Sequence, residues 1–133
     1  MAGQAEAMQE LAGRIAVALE AADLTAFRDL LHPAARWGPP GDPSPPCRTR
    51  EDVLSWYRQA RDSGARAHVA ETVVSGDRIL VGLKVTGTPV AAGHGGEYDR
   101  WQVLTVRDGQ VAEIVGFGDR AEAEAWAGMV PGR

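Results

Sequence analysis

The sequence of 133 residues holds one cysteine, Cys47, so no internal disulfide can close and no second thiolate is at hand to share a metal. A reducing, cytoplasmic setting is the expectation that follows. It holds one lysine, Lys84, among 14 basic residues set against 18 acidic ones, for a formal net charge of -4. That balance offers no basic face to nucleic acid or to an anionic membrane, and neither is expected as a partner. The three histidines, His32, His68 and His94, stand far apart without a spaced ligand partner, so no metal is expected. No apolar run is long enough to span a bilayer, and Glu6, Glu10 and Arg14 interrupt the opening "MAGQAEAMQELAGRIAVALEAA" as they would an amphipathic helix, not a signal peptide.

What is present is ordinary globular material, 44% hydrophobic and 24% charged, over the length of one domain, so a single domain across 1–133 is expected. Met8, Leu11, Ile15, Ala18, Leu19 and Ala22 recur at three- and four-residue spacing and predict a first helix with one apolar stripe. Asp23 caps a short second helix carrying Leu24, Phe27, Leu30 and Leu31, which Pro33 ends; Ala35 to Trp37 is read as a short strand. Five prolines in the nine residues "GPPGDPSPP" make a loop of Gly38 to Pro46. Thr49 with Asp52 three residues on opens a third helix, whose buried stripe is read as Val53, Trp56, Tyr57 and Ala60 and whose end falls near Gly64.

The period then changes to two. "AHVAETVV" and "RILVGLKVT" flank Ser75-Gly76-Asp77 as a hairpin, and Ile79, Val81, Leu83 and Val85 alternate with Arg78, Gly82, Lys84 and Thr86. After the glycine-rich "AAGHGGE", a long strand runs through Trp101, Val103 and Thr105, turns at Arg107-Asp108-Gly109, and returns from Val111 to Phe117. "DRAEAEAWAGM" closes the chain as a helix with Asp119 at the N-cap and Glu122 in the capping-box position. The order gives an α+β fold: a curved antiparallel sheet of four to six strands wrapped around N-terminal helices as a cone, with a short C-terminal helix.

In that order, "LTAFRDLLHPAARW", "CRTREDVLSWY" and "RWQVLTVRDGQVAEIVGFGDRAEAEAWAG" resemble the SnoaL-like group of the nuclear transport factor 2-like superfamily, over nearly the whole chain. The resemblance implies a cystatin-like cone fold, pairing of two sheets into a homodimer, and one of several functions. The superfamily holds polyketide cyclases, ketosteroid isomerases, epoxide hydrolases, dehydratases and members that only bind ligands or partners, and a fold does not select among these. In SnoaL-like cyclases an acid where the last strand leaves the sheet serves as general acid and base, and Asp119 falls there. Two features depart from relatives: Ala34 and Ala35 follow Pro33 where an acid often stands, and Asp99 and Arg100 are adjacent, so that on a regular strand they point to opposite faces.

The candidate catalytic residues are therefore Asp119, assisted by His68 or Arg100; the plainer readings are Asp119 as a helix cap, and Arg100 as a surface residue paired to Asp99 or Glu97 of a neighbouring chain or lying in solvent. His68 is placed on the face of Thr72, opposite Glu71, from where it would reach the cone. Trp37, Trp56, Tyr57 and Trp101 are the candidate ligand-binding residues, as large rings that line a hollow or fill a core. Cys47, in a proline loop without a base, is not read as a nucleophile. The expectation is a small-molecule ligand, apolar or aromatic, with acid-base cyclisation, isomerisation or dehydration as the chemistry and no cofactor. The alternative is a non-catalytic ligand-binding or dimeric interaction domain. Apolar residues on both sheet faces, with Leu80 opposed to Ile79 and Leu83, permit the homodimer through the sheet face.

Overall fold

A computed structural model describes residues 2–39, 41–42 and 44–129. Helix α1 (Ala2–Ala21) buries Met8, Leu11, Ile15, Ala18 and Leu19, the stripe read from spacing. Asp23 accepts from the Ala26 N–H at 3.0 Å and opens α2 (Leu24–Leu30). Leu31 was expected to finish that helix. Instead its backbone is already extended, and it begins strand β1 (Leu31–Gly38), one residue ahead of His32, which Pro33 keeps out of helical geometry. Thr49 caps α3 (Arg50–Asp62) by accepting from Asp52 N–H at 3.1 Å, while the Asp52 carboxylate reaches back to Arg48 N–H at 3.0 Å.

Strands β2 (Arg66–Ser75), β3 (Arg78–Thr86), β4 (Glu97–Arg107) and β5 (Gln110–Phe117) form the antiparallel meander, and β1 joins it parallel to β5. The sheet order is β1-β5-β4-β3-β2, a curved and unclosed sheet of five strands. A one-turn helix, α4 (Pro89–Ala92), capped by Thr88, precedes the glycine-rich stretch and takes in its first two residues, Ala91 and Ala92. Helix α5 (Arg120–Trp126) closes the chain.

The inner face of the sheet carries Ile79, Val81, Leu83, Leu104 and Ile114, packed under α1, α2 and α3 with Phe27 and Val53. The outer face carries Leu80, Val103, Val115 and Phe117, and α5 covers them with Ala123, Ala127 and Trp126. The apolar residues that permit a sheet-to-sheet dimer are thus in part roofed by the chain's own last helix. Arg120 secures that roof: it binds Glu71 of β2 at 2.7 and 3.2 Å and Glu124 of its own helix at 2.8 Å, and Arg78 donates to the Trp126 carbonyl.

One irregularity decides which side chains face inward. The register of β2 on β3 shifts between Val69 and Glu71, leaving Ala70 as an extra residue, a bulge. His68 therefore pairs with Lys84 on the outer face and Thr72 with Val81 on the inner one. At the bulge, Glu20 of α1 accepts from the Val69 N–H at 3.0 Å and contacts His68 Nδ1 at 2.5 Å.

Candidate functional site

Where the open end of the sheet meets α1, α2 and α3, the inner layers leave a cavity of about 480 Å3. Its side walls follow from period two on the strands: Leu83 and Val85 of β3 and Tyr98, Arg100 and Gln102 of β4 all point the same way. The helical wall is aromatic. Trp37 of β1 stacks on Tyr57 of α3 with centroids 5.1 Å apart and planes 15° apart. Trp56 meets Trp37 edge-on at 5.5 Å, and Phe27 meets Tyr57 edge-on at 5.0 Å. These offset and T-shaped contacts are the arrangements that ring quadrupoles favour, so the wall holds its shape without a ligand. Trp56 was read as part of a buried stripe, yet it is 52% exposed, because it stands at the rim of the cavity while Leu54 takes the buried position.

The polar groups are few and specific. The Tyr57 hydroxyl and the Gln102 amide exchange hydrogen bonds at 3.2 and 3.3 Å, which satisfies one of the two buried polar side chains among the described residues. Burial pushes the Tyr57 hydroxyl up to about 12, against the lowering effect of Gln102, so it stays protonated. Arg61, Arg66 and Arg100 all reach the lining, and among the described residues no carboxylate or histidine does. Arg61 is engaged by Asp62 at 3.3 Å, and Arg66 by the carbonyls of Arg61 and Ala65. The Arg100 guanidinium has no hydrogen bond or ion pair with any described residue.

A second hollow of about 270 Å3 shares Trp37, Trp56 and Arg100 with the first and runs under the proline segment to Cys47. That segment is tied to β1 by two backbone bonds, Trp37 N–H to Cys47 O at 3.1 Å and the reverse at 3.2 Å. Cys47 is buried, and burial, with Asp52 nearby, pushes its thiol up, away from the thiolate that a nucleophile needs. A third hollow, about 580 Å3, lies toward the other end of α1 and is lined by Glu10, Asp29, Asp77 and Asp108. The aromatic cavity has the apolar walls and few converging polar groups that small-molecule sites share; the acidic hollow does not. No group of metal-ligating side chains occurs among the described residues.

Of the seven residues singled out from sequence, Trp37, Trp56, Tyr57 and Arg100 come together on the cavity. Asp119, His68 and Trp101 lie outside its lining. Asp119 is exposed and accepts from the Glu122 N–H at 3.1 Å as the cap of α5. His68 is on the outer face because of the bulge at Ala70, which also puts Thr72 on the other side. Trp101 follows Arg100 by one residue, so it too faces outward, where its indole donates to Glu71. Arg100 does not pair with Asp99 or Glu97 of its own strand: those acids face outward, with Lys84 at 3.4 and 3.9 Å. Phe27, Tyr98 and Gln102 belong to the cavity and were not singled out. For Gln102 and Tyr98 the signal was available, since both stand two residues from Arg100.

A family model described as a SnoaL-like domain matches residues 12–114. No curated protein matches the chain as a relative. Among solved structures, a ketosteroid isomerase-like protein of Kribbella flavida has a TM-score of 0.70 at 20% identity, over 86% of this chain and 78% of that one. A polyketide cyclase-like protein of Sinorhizobium meliloti has a TM-score of 0.65 at 23% identity, over 84% and 98%. TerC, co-crystallized with polyporic acid, has a TM-score of 0.62 at 17% identity, over 90% and 96%. At these identities the likeness is one of fold. No helix among the described residues is long and apolar enough to cross a membrane.

Proposed function

Because the chain belongs to the SnoaL-like domain family, whose fold frames a hollow between sheet and helices, we propose that it binds a flat, apolar small molecule in the aromatic cavity. The observation that carries this reading is the Trp37-Tyr57-Trp56 wall facing about 480 Å3 of open space, above the roughly 300 Å3 at which small-molecule sites begin. A domain whose cone served only to support an outer surface would fill it with its own side chains. The co-crystallization of TerC with polyporic acid supports the same reading, since the fold there was found with an organic small molecule.

Chemistry on such a ligand has to come from groups that reach it. Asp119 with His68 as an acid-base pair has no support from position, because one caps α5 and the other lies on the outer face. Arg100, Tyr57 and Gln102 do reach the cavity, and they are suited to orienting and polarising a ligand more than to shuttling protons near neutral pH. Binding and positioning is thus the function the geometry supports best; cyclisation or isomerisation, suggested by relatives in the fold, would proceed here through orientation of the ligand.

The test is a panel of two- to four-ring aromatic compounds followed by tryptophan fluorescence and thermal melting. At least one is expected to bind saturably and raise Tm, and Trp37→Ala is expected to weaken it about tenfold or more by removing the stacked face. A panel without saturable binding, or binding that ignores Trp37→Ala, removes the cavity from the function.

A further inference from the structure

Among the described residues, the one charged group on the cavity lining without a partner is positive, and a gap in the neighbouring strand seats it. Arg100 of β4 lies beside Gly116 of β5 and Gly118, which follows the end of that strand. A Cβ at Gly116 would stand 2.7 Å from Arg100 Nη2, and one at Gly118 would stand 3.6 Å from Nη1, so the guanidinium lies over backbone that has no side chain to lift it. The Trp37 indole nitrogen lies 3.9 Å from the same Gly116 point. Two kinds of donor, guanidinium and indole N–H, therefore converge on one place, and neither has an acceptor among the described residues. Arg100 and Trp37 also line both the main cavity and the smaller hollow behind it, so a group between them is reached from the aromatic wall.

Resting on the cavity reading above, we infer that the ligand is an organic anion, a flat apolar body bearing a carboxylate, sulfonate or phenolate-type oxygen that meets Arg100 and Trp37 Nε1. The charge count on the lining supports it. Arg61 and Arg66 add positive charge at the rim, and the acids nearest in sequence, Glu97 and Asp99, are turned to the outer face by strand alternation and held there by Lys84. A negative ligand meets no carboxylate repulsion, and apolar walls strengthen its attraction to the guanidinium relative to open water. A cationic ligand would meet three arginines and no acceptor of matching charge.

The experiment uses two fluorescent probes that differ by one group: 8-anilinonaphthalene-1-sulfonate, and N-phenyl-1-naphthylamine, which lacks the sulfonate. The wild-type chain is expected to bind the anionic probe about tenfold more tightly, the size of one charge-assisted hydrogen bond. Arg100→Gln is expected to bring the two affinities to within about twofold, chiefly through a loss on the anionic probe. Gly116→Ala, which displaces the guanidinium without removing it, is expected to reduce the preference, and it serves as the second variant should Arg100→Gln fail to fold by circular dichroism. Equal wild-type affinities, or a preference that survives both variants, overturn the anion assignment and leave the cavity reading standing. Binding of neither probe by the wild-type chain overturns the cavity reading and the assignment with it.

Discussion

Arg120 holds Glu71 through two hydrogen bonds, 2.7 Å from Nε and 3.2 Å from Nη2, and so ties the last helix to the outer face of β2. Those bonds, with the guanidinium charge and the Trp101 indole, keep the Glu71 carboxyl below its ordinary value of 4.5 although partial burial works against them. A carboxyl depressed in the folded state adds stability above its unfolded pKa, and the contribution is lost as pH falls through the folded one. Stability from this contact is therefore present at neutral pH and fades below about pH 4.5. Glu71→Gln is expected to lower neutral-pH stability by about 0.5–1 kcal/mol, the modest figure reflecting partial exposure. It is also expected to flatten the acid limb of a Tm-against-pH curve relative to wild type. An unchanged acid limb would mean that the pair contributes nothing measurable.

At the cavity, removing one partner of Tyr57 and Gln102 should cost more than removing both. Tyr57→Phe leaves the Gln102 amide buried without its partner, an expected loss of about 1–2 kcal/mol in urea unfolding. Adding Gln102→Leu to that variant is expected to recover part of the loss, since neither position then buries an unmet polar group. Additive losses in the double variant would show that the two side chains are not coupled.

Asp119 separates capping from proton transfer. Asp119→Ala is expected to lose about 1 kcal/mol and Asp119→Asn only a few tenths, because asparagine also accepts from the N–H of residue 122. Ligand affinity at the cavity is expected to stay within about twofold in both, which is under 0.5 kcal/mol. Loss of a measured turnover in Asp119→Asn, with stability retained, would restore the carboxylate as a catalytic group.

Gly87 carries φ +77°, and a Cβ there would run into the carbonyl of Gly64. Both the left-handed backbone and the collision oppose a side chain, and the obstacle is backbone that cannot swing aside. Gly87→Ala is expected to cost about 2 kcal/mol or more, seen as a lower urea midpoint at unchanged slope. A change below about 0.5 kcal/mol would refute that close approach.

The parts of the molecule legible in sequence are those decided within a few residues. Asp23, Thr49 and Asp119 announce helix starts because the cap and the N–H it serves are three apart, and the alternation of β3 survives into the structure because that strand is central and regular. Asp99 and Arg100 divide between the faces for the same local reason. His68 was not legible, since nothing near Ala70 announces that the strand takes an extra residue there; the bulge is a matter of pairing with β3 and of Glu20 arriving from α1. The parallel pairing of β1 with β5 joins segments about eighty residues apart and leaves no periodic trace. Arg100 could be oriented from sequence, but its lack of a partner depends on where every neighbouring acid ends up, which only the folded arrangement decides.

The bulge has a consequence for how copies of this chain meet. The two outermost strands of an open sheet ordinarily invite a further strand to lie alongside. Here the Val69 amide on one margin is already taken by Glu20, and Trp37 on the opposite margin donates its N–H to Cys47 and accepts from the Cys47 N–H at its carbonyl. A further strand laid along either margin would have to displace these bonds midway, which opposes growth by strand addition.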